Sequence, residues 1–185
     1  MTLTDYDLDA LHDGGPPLEE WYASYSATLF GYIARRLGRT VAEDLTAQVF
    51  VEALESYHRF DPAKGSAKTW LFAIATNLVR SHLRKEQRAL EVFARTGADP
   101  VADDPMRAAD ARLFAADQWP QVAAALDELS AVDRDVLLLY CFADLDYAEI
   151  GAALELPVGT VASKMNRIRT KVRKRLGDDP RGKGR

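Results

Sequence analysis

Residues 146–176, DYAEIGAALELPVGTVASKMNRIRTKVRKRL, carry the strongest local pattern in this chain. Apolar residues recur at helical spacing over 147–154, and Asp146 with Glu149 three places later has the pattern of a capping box. Pro157 then interrupts the helix because it has no backbone N–H, yet proline is favoured in the first turn of a following helix. The stretch therefore predicts two helices joined by a tight turn.

The second predicted helix is apolar on one face and basic on the others. Its apolar stripe, at steps of four, three, four and four, is formed by Val161, Met165, Ile168, Val172 and Leu176. Its cations are Lys164, Arg167, Arg169, Lys171, Arg173, Lys174 and Arg175. Its first turns contain the small or polar residues Val158, Gly159, Thr160 and Ser163. In a helix-turn-helix, first-turn side chains contact base edges in the major groove and later cations contact phosphates. A basic run alone is more often a solvated face, but the preceding break and the small first-turn residues favour contact with duplex DNA.

The charge of the chain is unevenly distributed. The net charge is only −4, which as an average would argue against binding a polyanion. However, residues 1–20 contain six acids and no Lys or Arg, whereas residues 158–185 contain ten bases and two acids. Such a basic terminus can attract and hold a nucleic acid.

Other features exclude several classes of protein. The single cysteine, Cys141, lies in an apolar run and is expected to be a small buried residue, so no disulfide framework exists. The histidines His12, His58 and His82 are scattered, and we expect no metal site and no cofactor. No signal peptide, membrane anchor or insertion is expected, and the protein is predicted to be cytoplasmic.

Three helices are expected in the amino-terminal half, after an acidic tail at residues 1–17. They are predicted at Leu18 to Leu37, from Thr40 to about Tyr57, and from about Ala67 to Arg88. Gly38 is expected to stop the first helix, and Thr40 with Glu43 to form a capping box for the second. Residues 59–66, RFDPAKGS, are expected to form a loop, since they contain Pro62 and Gly65.

The carboxyl-terminal half is predicted to be a second helical unit. Residues 90–113 contain Gly97, Pro100 and Pro105 and are interpreted as a flexible acidic linker. Helices are then expected from about Phe114 to Leu129 and from Ala131 to Phe142, followed by the helix-turn-helix and a basic tail at 178–185. With no alternating strand pattern, the prediction is an all-α protein of two small domains, residues 18–89 and 114–177.

The third predicted helix has an aromatic ring, an amide and two cations near one stripe of its surface. Trp70, Asn77, Arg80 and Arg84 are separated by seven, three and four residues, so they lie near one stripe. Such a surface suits an unstacked single strand, since aromatic rings stack on bases and cations contact phosphates. From these residues alone, the alternative of a core tryptophan, a satisfied amide and solvated arginines remains open.

The order of these elements resembles bacterial sigma factors, specifically the compact two-domain extracytoplasmic-function group. AEDLTAQVFVEAL at residues 42–54 and RFDPAKGSAKTWLFAIATNLVRSHLRK at 59–85 resemble region 2 of that family. LDELSAVDRDVLLLYCFADLDYAEIGAALELPVGTVASKMNRIRTKVRKRL at 126–176 resembles region 4. Two matched segments in the expected order are more specific than either alone.

The resemblance implies a non-enzymatic initiation subunit that binds core RNA polymerase and directs it to promoter DNA. Region 4 would contact the −35 element as duplex, through Val158, Gly159, Thr160, Ser163, Lys164 and Arg167. Region 2 would capture the melted −10 strand, through Lys64, Lys68, Trp70, Asn77, Arg80 and Arg84. Within that set, Asn77 matches the position that meets the flipped base, and residues 64–69 match the loop that sets its identity.

The same resemblance implies two protein partners. Asp44 and Gln48 lie at i and i+4 of the second helix and match the surface that contacts the polymerase clamp; without the family match, simple solvent exposure is an equal interpretation. An anti-sigma protein is a further expected partner. The turn departs from the family at Glu155, where Gly is usual, so a left-handed backbone there would cost more. Ala162 and Asn166 also depart from the residues common in the family.

Two other classes of function stay open from the sequence. A stand-alone helix-turn-helix regulator would bind an intact, two-fold-symmetric duplex site without polymerase. An enzyme acting on nucleic acid, such as a resolvase, would need a catalytic serine or a carboxylate cluster, and none is evident in the sequence.

Overall fold

The computed structural model describes residues 17–96 and 128–176, and the predicted helix from Phe114 lies outside these ranges up to its last two residues. In the described part, six α-helices and no β-strand occur. The helices are α1 Leu18–Leu37, α2 Arg39–Glu55, α3 Ala67–Thr96, α4 Ala131–Phe142, α5 Tyr147–Leu154 and α6 Val158–Leu176. None of the described helices has the length and apolar character needed to cross a membrane. The predicted all-α fold is thus confirmed.

Helices α1, α2 and α3 form the amino-terminal unit around one apolar core. Leu29, Ile33, Val49, Leu71 and Phe72 are among its buried side chains. The hydroxyl groups of Tyr32 and Thr76, both fully buried, lie 2.9 Å apart and form a hydrogen bond between α1 and α3. This pairing satisfies two polar groups that would otherwise be costly to bury.

The boundaries of these helices differ from the predictions in two places. Gly38 ends α1 as expected, with φ 84°, but α2 then begins at Arg39 with Gly38 as its N-cap and no side-chain cap, so the predicted capping box of Thr40 and Glu43 is wrong. Helix α3 continues to Thr96, so the expected end at Arg88 is too early and the first residues assigned to the linker are helical. No Gly or Pro occurs before Gly97 to stop it.

The carboxyl-terminal unit begins with α4, whose start is capped as predicted. The Ser130 hydroxyl accepts a hydrogen bond from the Asp133 backbone N–H at 3.1 Å. Val136 and Leu139 face the core, whereas Tyr140, Cys141 and Phe142 are exposed. The expectation that Cys141 is buried is therefore wrong, because the apolar run of α4 has more apolar residues than its one inward face can bury.

The helix-turn-helix is built from α5 and α6. The capping box of Asp146 and Glu149 is present, since each side chain accepts a hydrogen bond from the other residue's backbone N–H. Glu155 ends α5 in the left-handed region, at φ 55° and ψ 43°. Gly151 lies where the turn closes on α5: a Cβ at Gly151 would stand only 2.7 Å from the Leu156 carbonyl oxygen. Sequence reasoning did not single out this glycine, whose role appears only in the packing of the turn.

The amino- and carboxyl-terminal units pack against each other, with α1 contacting α4 and α3 contacting α5. The Asp135 side chain of α4 is completely buried in this interface between two arginines of the other unit. Arg36 is more than half the chain away from Asp135 and Arg80 is 55 residues away, and neither contact was predicted.

Candidate nucleic-acid interface

Helix α6 presents the two-faced surface that its sequence predicts. Val161, Met165 and Ile168 have exposed fractions of 0%, 1% and 1% and anchor the helix on its own unit. The cations on the other faces are exposed: Arg167, Arg169, Lys171, Arg173 and Lys174. An anchored helix with a free basic face is the arrangement that a major-groove helix requires.

The first turns of α6 are open to solvent. Val158 is 50% exposed, and a Cβ added at Gly159 would meet nothing within 4 Å. Ser163 is exposed and donates to the Gly159 carbonyl at 2.8 Å, while Thr160 is half-buried. The start of the helix can therefore approach a partner closely.

Lys164 is held more firmly than its neighbours. Its Nζ lies 2.8 Å from Asp133 Oδ1, and only 18% of its side chain is exposed. Burial tends to raise the pKa of the Asp133 carboxyl, but hydrogen bonds from Lys164 and Ser130, with the charges of Lys164 and Arg167, lower it below its usual value. A DNA phosphate at Lys164 would therefore compete with an existing carboxylate.

A cleft of about 150 Å³ lies at the start of α3. Its walls are formed by Arg59, Phe60, Asp61, Lys64, Gly65, Thr69, Trp70, Ala73, Ala152 and Ala153. Two residues of the predicted strand-binding set, Lys64 and Trp70, line this cleft; Lys68, Asn77, Arg80 and Arg84 do not. Most of the wall comes from the amino-terminal unit, but the two alanines belong to α5.

Trp70 is both a core residue and a wall of the cleft. Its ring centroid lies 5.1 Å from that of Phe60 and 6.0 Å from that of Trp21, and Phe60 is 5.4 Å from Trp21. The half-buried ring is thereby held at a fixed angle. A rigid aromatic wall flanked by cations can stack a base and hold its phosphate.

The remaining predicted strand-binding residues are distributed along α3 and the loop before it. Asn77 and Arg84 are exposed. Lys64 has a side chain 85% exposed and lies 3.4 Å from Asp61. Arg80 is instead bound to Asp135: its Nε donates to Oδ2 at 2.9 Å. The cations predicted to contact the strand are thus not equally available.

Asp44 and Gln48 are both exposed on α2, one helical turn apart. The exposed Val51 follows at the next position of the same face. This face is free to contact another protein.

These features define a helical DNA-binding protein with one helix-turn-helix and a second aromatic and basic surface. Residues 21–89 match the sigma-70 region 2 family, and residues 120–172 match the sigma-70 region 4 family. The extracytoplasmic-function RNA polymerase sigma factor SigK of Mycolicibacterium vanbaalenii is 30% identical over 183 residues, covering 96% of this chain and 93% of that protein. EcfG of Rhodopseudomonas palustris, another such factor, is 30% identical over 172 residues, covering 93% and 86%.

Two solved structures share the fold. The sigma factor RpoE in complex with the anti-sigma factor NepR from Bartonella quintana has a TM-score of 0.66 at 22% identity, covering 87% of this chain and 97% of that one. CnrH in complex with the cytosolic domain of CnrY has a TM-score of 0.63 at 24% identity, covering 91% and 93%. The chain belongs to the extracytoplasmic-function family of RNA polymerase sigma factors. Below, region 2 and region 4 denote residues 21–89 and 120–172.

Proposed function

We propose that this sigma factor directs core RNA polymerase to promoters by binding the −35 element as duplex with α6 and the melted −10 strand with region 2. The observation that carries the proposal is the pairing of two different surfaces in one chain. An open, basic helix-turn-helix suits a closed double helix, and an aromatic cleft beside a basic helix suits an unpaired strand. A stand-alone regulator would need only the first of these surfaces.

Duplex recognition is assigned to the first turns of α6 and to the cations after them. Val158, Gly159, Thr160 and Ser163 would face base edges, and Lys164 and Arg167 would contact phosphates. Because a lysine or arginine bound to phosphate releases a counterion, Arg167→Ala should weaken duplex binding and reduce its salt slope by about 1. Arg88→Ala, which removes an exposed cation outside both contact sets, is the matched control.

Strand capture is assigned to Lys64, Lys68, Trp70, Asn77, Arg80 and Arg84. Asn77 is exposed, so replacing it does not disturb the core. Asn77→Ala should reduce open-complex formation by about 2- to 10-fold, the equivalent of one hydrogen bond of about 0.5–1.5 kcal/mol. Gln87→Ala changes another exposed amide on the same helix and should leave promoter opening unchanged.

The polymerase contact is assigned to the exposed face of α2. Asp44→Ala should weaken binding to core polymerase, whereas Glu43→Ala, the loss of the adjacent exposed acid, should not. Neither substitution changes the buried face of α2, so both variants should fold. A loss of polymerase binding by a folded variant can then be assigned to the lost contact.

Regulation by an anti-sigma protein is part of the proposal. Of the two solved structures named above, one holds the anti-sigma factor NepR and the other holds the cytosolic domain of CnrY. Two basic DNA-binding surfaces can be blocked together by one protein that covers both regions. Affinity purification of the tagged chain from cells that are not induced should recover an inhibitor; a free chain that is always active would contradict this part.

Reconstituted transcription tests the function as a whole. Core polymerase with this chain should start transcripts at defined promoters, and core alone should not. Transcript starts mapped after overexpression would give the promoter sequence. Tight binding to a symmetric duplex without polymerase, together with no polymerase-dependent transcripts, would favour a stand-alone regulator instead.

A further inference from the structure

The acidic tail and helix α6 have opposite charge. Residues 1–17, MTLTDYDLDALHDGGPP, contain four aspartates and no Lys or Arg, and residues 1–16 precede the described part of the chain. Residues 158–176, which form α6, contain seven bases and no Asp or Glu. The proposed function uses the cations of α6 but gives the acidic tail no role.

Three cations of α6 form an exposed stripe. Arg167, Lys171 and Lys174 are separated by four and three residues, so they lie on one side of the helix, and all three are exposed. Within residues 17–96 and 128–176, no carboxylate lies within salt-bridge distance of any of them, whereas Lys164, one turn earlier, is paired with Asp133. This cation stripe can therefore bind a negatively charged partner without first losing another.

The spacing of the tail aspartates matches that of the cation stripe. Asp5, Asp7 and Asp9 occur at every second residue. In extended backbone such positions project from one side and lie about 6.6 Å apart. Residues four apart along an α-helix are separated by about 6 Å, and residues three apart by about 4.5 Å. An extended segment from Asp5 to Asp9 can therefore place successive carboxylates at successive cations of the stripe.

The tail is long enough to reach the stripe. The Trp21 ring, close to the start of α1, lies 6.0 Å from the Trp70 ring, and Trp70 lines the cleft together with Ala152 and Ala153 of α5. Only the tight turn separates α5 from α6. A chain of 17 residues spans up to about 55 Å, and α6, with 19 residues, is about 29 Å long. All of α6 lies within the range of a tail that starts at α1.

The other exposed cations of the described helices form a weaker site for an anion. Arg84, Lys85 and Arg88 are exposed near the end of α3. However, the exposed acids Glu86 and Glu91 lie among them. Because these like charges would repel an acidic segment, α6 is the preferred surface.

We propose that the acidic tail docks on the cation stripe of α6 and competes there with the phosphates of duplex DNA. The proposal rests on the assignment of duplex contact to α6. A tethered ligand acts at an effective concentration on the order of millimolar, so a few exposed charge pairs suffice for docking. Every duplex has to displace the tail, whatever its sequence. Docking therefore lowers the affinity for all duplexes by the same factor, and only those with further contacts to the first turns of α6 stay bound.

A spin label on the tail tests docking without DNA. The label would be attached through Ala10→Cys in the full chain with Cys141→Ser, because Cys141 is an exposed free thiol. Backbone amide resonances of residues 167–174 should be broadened by the label. They should recover when Asp7→Asn and Asp9→Asn are added. Broadening at the end of α3 instead, or none in the described residues, would overturn the proposal.

Binding of a fluorescent duplex of random sequence gives the second readout. Asp7→Asn with Asp9→Asn should bind the duplex more tightly by roughly 2- to 10-fold, because two exposed charge pairs of the docked tail are lost. The gain should disappear as the salt concentration is raised, since screening releases the tail from the unchanged chain as well.

Glu19→Gln with Glu20→Gln is the matched control. It also removes two exposed acids, but from the first turn of α1 instead of the tail. It should leave both the label effect and the duplex affinity nearly unchanged. An equal gain in affinity for both pairs of substitutions would mean a general effect of net charge and would refute docking.

Loss of the stripe should cancel the effect of the tail. In a chain with Lys171→Ala and Lys174→Ala, duplex binding should be weaker, and adding Asp7→Asn with Asp9→Asn should no longer strengthen it. Such non-additivity is expected only of groups that share a contact. Full additivity would show that the tail acts elsewhere.

The two readouts separate failure of this inference from failure of the proposed function. If Arg167→Ala weakens duplex binding while the tail substitutions change neither readout, duplex contact by α6 stands and docking of the tail is refuted. If the label effect is seen but Arg167→Ala leaves duplex binding unchanged, the assignment of α6 to duplex DNA fails, and competition with DNA fails with it.

Discussion

Replacement of Gly151 by alanine should destabilise region 4, whereas the same replacement at Gly159 should not. A Cβ at Gly151 would stand 2.7 Å from the Leu156 carbonyl oxygen, well inside contact distance, and the obstacle is backbone rather than a movable side chain. At Gly159 a Cβ would meet nothing within 4 Å. Both glycines lie in helices, so the two variants differ mainly in this steric overlap.

The magnitude follows from two opposing contributions. Alanine gains up to about 1 kcal/mol over glycine within a helix, and both variants share this gain in part. Overpacking a closed site costs typically about 1–3 kcal/mol, and only Gly151→Ala incurs it. The free energies of unfolding of the two variants should therefore differ by about 2 kcal/mol, with Gly159→Ala the more stable.

Urea denaturation of the full chain, followed by circular dichroism, measures this difference. In thermal denaturation of a domain of this size, the same difference of about 2 kcal/mol would correspond to a difference in Tm of roughly 10 °C. Equal midpoints for the two variants would refute the reasoning, because the turn would then have room for a methyl group. Gly159→Ala should in addition weaken duplex binding while remaining folded, since its methyl group is added to the surface proposed to face DNA.

Three further changes are expected to act through single, identifiable contacts. Glu155→Gly should stabilise region 4 by up to about 1 kcal/mol in chemical denaturation, because glycine adopts φ 55° without the strain of a side chain; a loss of stability would contradict this. Met165→Ala, at a side chain only 1% exposed, should cost about 2–5 kcal/mol in the same assay. The folded-state pKa of Asp133 is lowered, so its contribution is present above its unfolded pKa and is lost as the pH falls below about 4 through the folded value. Asp133→Asn should therefore flatten the acid limb of the stability profile, and an unchanged limb would show that its pairing with Lys164 contributes nothing.

Local patterns predicted the helix-turn-helix well because its contacts are close in sequence. The capping box of Asp146 and Glu149, the cap at Ser130 and the new helix after Pro157 each depend on neighbours within a few residues. The same local reasoning failed at Thr40, because Gly38 at φ 84° lets α2 start at Arg39 and leaves Thr40 inside the helix. The backbone conformation of Gly38, which decides where α2 starts, cannot be read from the residues around it.

Features that depend on distant partners could not be predicted from patterns. Asp135 and Arg80 are 55 residues apart, and nothing in the sequence around either indicates the other. Cys141 belongs to an apolar run, but which side of α4 faces inward is set by its packing on α6 and on region 2. The amide and cations of α3 were placed on one stripe by their spacing; that region 4 covers part of this stripe is a property of the whole fold.

Helix α4 connects the two DNA-binding surfaces through a pair of carboxylates. Asp133 holds Lys164, assigned to the −35 duplex, at 2.8 Å, and Asp135 holds Arg80, assigned to the −10 strand, at 2.9 Å. The two acids differ in whether the cation that each holds belongs to its own region or to the other region. Because Asp133 acts within region 4, duplex contact by α6 needs only a local exchange of partners. Because Asp135 acts between the regions, a phosphate at Arg80 would have to compete with a carboxylate of the other region.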